Sequence, residues 1–218
     1  MTSGFWDERY QGEAYLFGEA PNAFLARQSD RLRPGMTALA VAAFAVRHGQ
    51  GGHARAVADG EGRNGVWLAE QGLDVLSIDA SRVAQDKARR LAARRGVELA
   101  FEIADLSAWN WPADRFDLVA AIFIQFADPP LRARLFDNMK TALKPGGLLL
   151  LEGYRPEQIA YGTGGPRAEE NLYTEALLAE AFSDFEILSL QAYDATIEEG
   201  AGHSGPSALI DLVARRPL

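Results

Sequence analysis

The sequence predicts an α/β fold: a doubly wound, seven-stranded and mostly parallel sheet with an antiparallel strand pair at its C-terminal end. Three observations predict it. Short apolar runs alternate with segments of helical periodicity from 37 to 182, the pattern of strand–helix–strand units. Glycines at 60, 62 and 65 stand between an apolar run and a helical one, as in a strand–turn–helix. The last two apolar runs, 185–193 and 207–214, have no clear helix between them, so they are expected to pair antiparallel.

The elements follow in order. Residues 4–18 are rich in aromatics (Phe5, Trp6, Tyr10, Tyr15, Phe17) and show little strand alternation. They read as a packed arm, with Trp6 and Tyr15 as candidates for a cap over a ligand. A helix is expected over 21–32, from Phe24, Leu25, Gln28 and Leu32 at helical spacing, stopped by Pro34-Gly35. Residues 36–58 carry Ala-Val-Ala twice, at 40–42 and 56–58. Removing 43–58 would lead the first copy directly into Asp59-Gly60, so 43–58 reads as an insertion. The second copy, which alone adjoins the glycines, is expected to take the central strand position. His48 and His53 lie among glycines in this segment, without the further ligands a metal site needs; a solvated loop is expected and no metal is assigned.

A strand follows over 73–79, ending at Asp79. Ser81 suits the N-cap of a helix over 82–95 with Gly96 as its stop, and the cations toward that helix's C-terminal end suit its dipole. A third strand over 97–103 leads to Asp105. The nearly unbroken apolar run 116–124 reads as a strand buried on both faces. A helix over 129–143, a strand over 148–151 and a helix over 174–182 precede the final pair. The whole, 1–218, reads as one domain, with 1–35 as an N-terminal cap or arm.

Composition narrows the function. Of 218 residues 48% are hydrophobic and 24% charged, and the net charge is −8. An acidic chain of this kind is not built for nucleic acid or anionic membranes. With no cysteine, disulfides, thiolate metal sites and cysteine nucleophiles are excluded. The opening residues lack the basic and apolar regions of a secretory signal, and no run reaches the roughly 18 apolar residues of a membrane span. A cytoplasmic protein acting on a small molecule is the expectation, with self-association left open.

The motif Gly60-x-Gly62-x-x-Gly65, with Asp79 after the next strand, fits a nucleoside-cofactor site. A nicotinamide cofactor is one alternative, hence an NAD(P)-dependent oxidoreductase. Against it stand the short chain, the closing strand pair in place of a second mononucleotide half, Asp105 at the end of the third strand, and Asn64 beside the turn. A non-catalytic binding protein is the other alternative.

The run Asp59-Gly-Glu-Gly-Arg-Asn-Gly65, Asp79, Ala104-Asp-Leu106, Phe116-Asp117 and Leu143-Lys-Pro-Gly-Gly147 resemble the motifs of class I S-adenosylmethionine-dependent methyltransferases, which have a Rossmann-like fold. Tyr161-Gly-Thr-Gly-Gly-Pro166 and Glu199-Gly-x-Gly-His203 resemble the tellurite-resistance (TehB-like) and thiopurine-methyltransferase-like branch. The chain departs from the pattern at Ala56 and Ala58, where an acidic residue and a glycine are usual.

The resemblance implies S-adenosylmethionine as cofactor, and roles for residues of this chain. Asp59, Gly60, Glu61, Gly62, Arg63 and Asn64 would surround its methionine end. Asp79 and Ala80 would hold the ribose, and Asp105 and Leu106 the adenine. Ile122, Phe123 and Gln125 would border the sulfonium. The implied reaction is in-line methyl transfer to a small molecule, with a soft or heteroatom nucleophile (S, Se, Te or N). His203 is the candidate base or substrate anchor, against a plain turn histidine. Arg167 is the candidate anion anchor, against a surface salt-bridge partner. Tyr161, with Trp6, would wall the pocket.

Overall fold

A computed structural model describes residues 7, 10–42 and 59–218. Seven strands form one sheet: β1 (Thr37–Ala42), β2 (Asp74–Asp79), β3 (Ala100–Ile103), β4 (Phe116–Ile122), β5 (Leu143–Tyr154), β6 (Glu186–Glu199) and β7 (His203–Arg215). Helices with bounds in the described residues are α1 (Ala23–Ala26), α2 (Arg63–Glu70), α3 (Arg82–Arg95), α4 (Pro129–Ala142), α5 (Gln158–Tyr161) and α6 (Glu175–Ala181). The strand order is β3-β2-β1-β4-β5-β7-β6. The first five strands are parallel, and β7 pairs antiparallel with both β5 and β6. The predicted sheet and its closing pair are therefore present.

The pleat of β1 separates two cores. Leu39 and Val41 face one side, with Val119, Leu149 and the α4 residues Leu135 and Met139. Ala38 and Ala40 face the other, with Leu118, Leu150, Leu68 of α2 and Phe24 and Leu25 of α1. Both faces of the central strands are covered, which explains their unbroken apolar character.

One strand assignment is corrected. The first Ala-Val-Ala, not the second, ends the central strand: Thr37–Ala42 pairs with β2 on one side and β4 on the other. Residues 43–58 lie outside the described residues. Side-chain chemistry explains the choice. The second copy would bring Arg55 to the position that Leu39 holds at zero exposure in the first, and burying an unpaired guanidinium costs several kcal/mol. The first copy is also anchored at its start, where the backbone N–H and hydroxyl of Thr37 both donate to Asp117 (2.8 and 2.6 Å).

Other boundaries move modestly. The helix over 82–95 forms as expected: Ser81 accepts from the Ala84 N–H, and Gly96 stops it at φ 68°. The expected helix over 21–32 divides into α1 and a 3-10 turn, Ser29–Arg31. The third strand is shorter than expected. The final hairpin is longer, turning only at 200–202.

Candidate active site

The strand order reverses between β1 and β4, and a cleft at the C-terminal ends of such strands is where α/β sheets bind ligands. Here that place holds a small cavity of about 30 Å³, lined by Tyr10, Phe17, Gly18, Asp59, Gly60, Glu61, Arg63, Ile122, Phe123 and His203. About one water molecule would fit in it.

The floor is the glycine turn. Gly60 and Gly62 have φ of 55° and 86°, and Asp59, directly before them, has 48°. The Asp79 carboxylate fastens the turn, accepting from the Gly60 N–H (2.8 Å) and the Ser81 N–H (2.7 Å). The Asp59 carboxylate accepts from the Ser77 hydroxyl (2.6 Å) and lies so close to Gly65 that a Cβ there would come within 2.5 Å of it. Burial pushes the Asp59 carboxyl up to about 7, with Ser77, the Gly65 N–H and Arg63 opposing that rise. Beyond the end of β4, Phe123 also adopts positive φ, 54°. Non-glycine residues in that region cost about 1–3 kcal/mol each and concentrate at functional sites; two of them line this one cavity.

The roof comes from the N-terminal arm and the β6–β7 turn. The Glu61 carboxylate accepts from Lys87 Nζ (2.6 Å) and from the Leu16 N–H (2.6 Å), and Lys87 also donates to the Ala14 carbonyl. The arm so held meets the β6–β7 turn, where the Gly202 N–H donates to the Leu16 carbonyl (3.0 Å). A Cβ at Gly202 would come within 2.3 Å of the Phe17 ring. Close by, Arg63 pairs with Glu199 at 2.6 Å, both well buried. Asn22 donates to Glu199 and Glu152, and its backbone N–H donates to Asn64 Oδ1.

His203 forms the far wall. It is 2% exposed, and its ring meets Phe17 and Phe123 edge-on at centroid distances of 4.8 and 4.5 Å. Its Nδ1 lies 3.2 Å from the Tyr154 hydroxyl. Burial, and secondarily the Arg63 charge, hold the imidazole well below its usual range, so it is neutral.

The structure brings Asp59, Gly60, Glu61, Arg63, Ile122, Phe123 and His203 to one cavity. Gly62, Asn64, Asp79 and Ala80 support it from behind. Several expected site residues do not line this cavity. The Gln125 amide is committed to β5: its Nε2 donates to the Tyr154 and Asn171 carbonyls and its Oε1 accepts from the Tyr154 N–H. Tyr161 is exposed, donates to Asp194 and does not line this cavity. Arg167 is exposed in the loop after α5. Leu106 is fully buried in the core, and Asp105 accepts from the Ser107 N–H and hydroxyl. Tyr15 docks on α3, donating to the Lys87 carbonyl, and does not cap the cavity. Trp6, His48 and His53 lie outside the described residues. Among the described residues no cluster of three potential metal ligands exists, and no helix is long and apolar enough to cross a membrane.

Sequence reasoning did not single out Glu199, Asn22 and Tyr154 as parts of the site, nor Tyr10 and Phe17 as its lining. Only a Gly-Tyr at the end of a strand and a Phe-Gly in the arm hinted at two of them.

A sulfonium amino-acid nucleoside would meet suitable groups at its methionine end. A Cβ on Gly60 would sit 3.3 Å from the Tyr10 hydroxyl, so the turn keeps space that a side chain would fill. The buried Asn64 Nδ2 has no hydrogen-bond partner among the described residues and is available to an acceptor. The residues that line the cavity fit the methionine end of such a group.

A family model described as "Methyltransferase domain" matches residues 56–147, beginning at the second Ala-Val-Ala. By structure, the chain is similar to TehB from Haemophilus influenzae, with TM-score 0.68 and 16% identity over 98% of this chain and 66% of that one. TehB is thus the longer chain. It is similar also to N-methyltransferase NodS from Bradyrhizobium japonicum in complex with S-adenosyl-L-homocysteine, with TM-score 0.68 and 15% identity over 100% of both chains. A third similar structure was described under "Conversion of a Disulfide Bond into a Thioacetal Group during Echinomycin Biosynthesis", with TM-score 0.71 and 20% identity over 99% of this chain and 91% of that one. At these identities the structures establish the fold, and the family match concerns residues 56–147. The domain matched over 56–147 and the fold shared with TehB and NodS together support an S-adenosylmethionine-dependent methyltransferase.

Proposed function

We propose that this chain methylates a small molecule at a soft or heteroatom nucleophile (sulfur, selenium, tellurium or nitrogen). The observation that carries the reading is the cavity at the switch point, where the glycine turn, the end of β4 and a neutral histidine face one another. When bound, the cofactor supplies an electrophilic methyl group on a sulfur already activated by its positive charge.

The chain's own residues hold and orient. Gly60, Gly62, Arg63 and Asn64 would hold the methionine end, Asp79 and Ala80 the ribose, and Asp105 with the Leu106 backbone the adenine. Ile122 and Phe123 would border the reacting centre. Phe17, Phe123 and Tyr154 form stiff aromatic walls around His203. Holding an acceptor in line can be worth up to about 7–11 kcal/mol. The relative named for conversion of a disulfide into a thioacetal supports a sulfur acceptor. We also read 43–58 as an insertion within a single domain.

Calorimetric titration tests the cofactor site. Saturable binding of S-adenosylhomocysteine, with none of NAD(H), is expected. Preference for NAD(H) would overturn the reading in favour of an oxidoreductase. Binding without turnover of thiol, selenite, tellurite or amine acceptors would favour a non-catalytic protein.

A further inference from the structure

Tyr154 decides what His203 can do. The tyrosine is 1% exposed at the end of β5 and stacks on Phe123 at 4.6 Å. Its hydroxyl has one hydrogen-bond partner among the described residues, His203 Nδ1 at 3.2 Å. A buried O–H without an acceptor loses about 1–3 kcal/mol, so the hydroxyl donates and Nδ1 accepts. Burial, with the charges of Glu152 and Glu199, pushes the Tyr154 phenol far up, so it keeps its proton. A neutral imidazole that accepts at Nδ1 carries its proton at Nε2.

We propose that Tyr154 is a positioning residue that fixes His203 as the Nε2–H tautomer, so that His203 meets the methyl acceptor as a hydrogen-bond donor and not as a base. Any contact that Nε2 makes, it makes by donating. This deepens the proposed methyl transfer by naming the acceptor class: an atom that arrives with its lone pair exposed, above all a thiolate. The acceptor sulfur forms the new S–C bond, the sulfonium C–S bond breaks with its electron pair on the departing sulfur, and no proton remains for the protein to take. A hydroxyl acceptor, which must lose its proton to react, finds no base in this histidine.

Among the described residues, the charged and titratable groups around the ring are Arg63 from α2, Tyr154 from β5, Tyr10 from the arm, and Asp59 and Glu61 from the turn, with Glu199 behind Arg63. The cation disfavours a second proton on the ring, and the paired Glu199 offsets part of that effect.

The full chain labelled with 15N-histidine tests the assignment without any turnover. It has three histidines, and His203→Gln identifies the signal of interest. The expected spectrum shows a protonated Nε2 and an unprotonated Nδ1 throughout about pH 5 to about pH 8. A protonated Nδ1, or a ring that titrates in that window, overturns the proposal. Tyr154→Phe removes the donor and is expected to give mixed tautomers; an unchanged tautomer in a folded variant also overturns it. Thiophenol and phenol, each with S-adenosylmethionine, then probe the acceptor. Methylation of thiophenol alone supports the donor role, and faster methylation of phenol counts against it. Methylation of neither counts against the methyl-transfer reading, while the spectrum decides the tautomer by itself.

Discussion

The Glu61 carboxylate and the Lys87 ammonium meet at 2.6 Å with side chains only 2% and 3% exposed, and together they tie the glycine turn, α3 and the N-terminal arm into one unit. Breaking a buried pair by removing one partner leaves the other charge uncompensated. Lys87→Met is therefore expected to cost about 3–5 kcal/mol, read as a lower urea midpoint. The double variant Glu61→Gln, Lys87→Met should lose less than the two single losses added together. Strict additivity would show that the pair is not coupled.

Asp59 gives stability a downward slope with pH. Its carboxyl goes from an ordinary 3.8 to about 7 in the fold, so the folded state holds a proton that the unfolded chain has released. The unfolded state then binds fewer protons between 3.8 and about 7, and its contribution to stability falls as pH rises through that window. The slope is at most roughly 1.4 kcal/mol per pH unit. Glu152, raised by burial and by the charges of Asp211 and Glu199, adds in the same direction. Denaturant titrations across the window should show a shallower fall for Asp59→Asn than for the parent. An equal slope would place the proton elsewhere.

Two neighbouring glycines do different work. A Cβ at Gly62 would lie 2.4 Å from Ala88 Cβ and 2.9 Å from its Cα, against the body of α3. At Gly60 it would meet only the Tyr10 hydroxyl, at 3.3 Å. Gly62→Ala should destabilise by about 1–3 kcal/mol from overpacking alone, with positive-φ strain in addition. Gly60→Ala should carry its strain without the helix clash and lose less. Thermal unfolding orders the two, and a smaller loss at Gly62 would contradict the packing.

The roof can be loosened from the hairpin side. Gly202→Ala would push a methyl group into the Phe17 ring. It should speed proteolysis within 10–18 and raise the association rate of S-adenosylhomocysteine in stopped flow, with a smaller change in overall stability. An unchanged association rate would mean that the roof does not gate entry.

Much of this was legible in the residues, and the failures have physical causes. Ser81 and Gly96 marked the ends of α3 because caps are local chemistry, and both caps formed. Asp79 and the glycines were legible because backbone geometry at a tight turn admits few residue types. The two copies of Ala-Val-Ala could not be told apart by their own side chains; the residue before them, Leu39 or Arg55, decides. Tyr161 and Arg167 stood in a glycine-rich run that resembled a substrate loop, yet the fold leaves both at the surface. Glu199, Asn22 and Tyr154 escaped notice because they converge from distant parts of the chain, and no local pattern marks a hydrogen bond between residues 22 and 199.

The contact between Leu16 and Gly202 joins the beginning of the fold to its last hairpin. Two segments remote in sequence thereby share the edge of the cavity, rather than one loop alone. The order of the N-terminal arm then depends on the last hairpin, so loosening either segment should be read in both by hydrogen exchange.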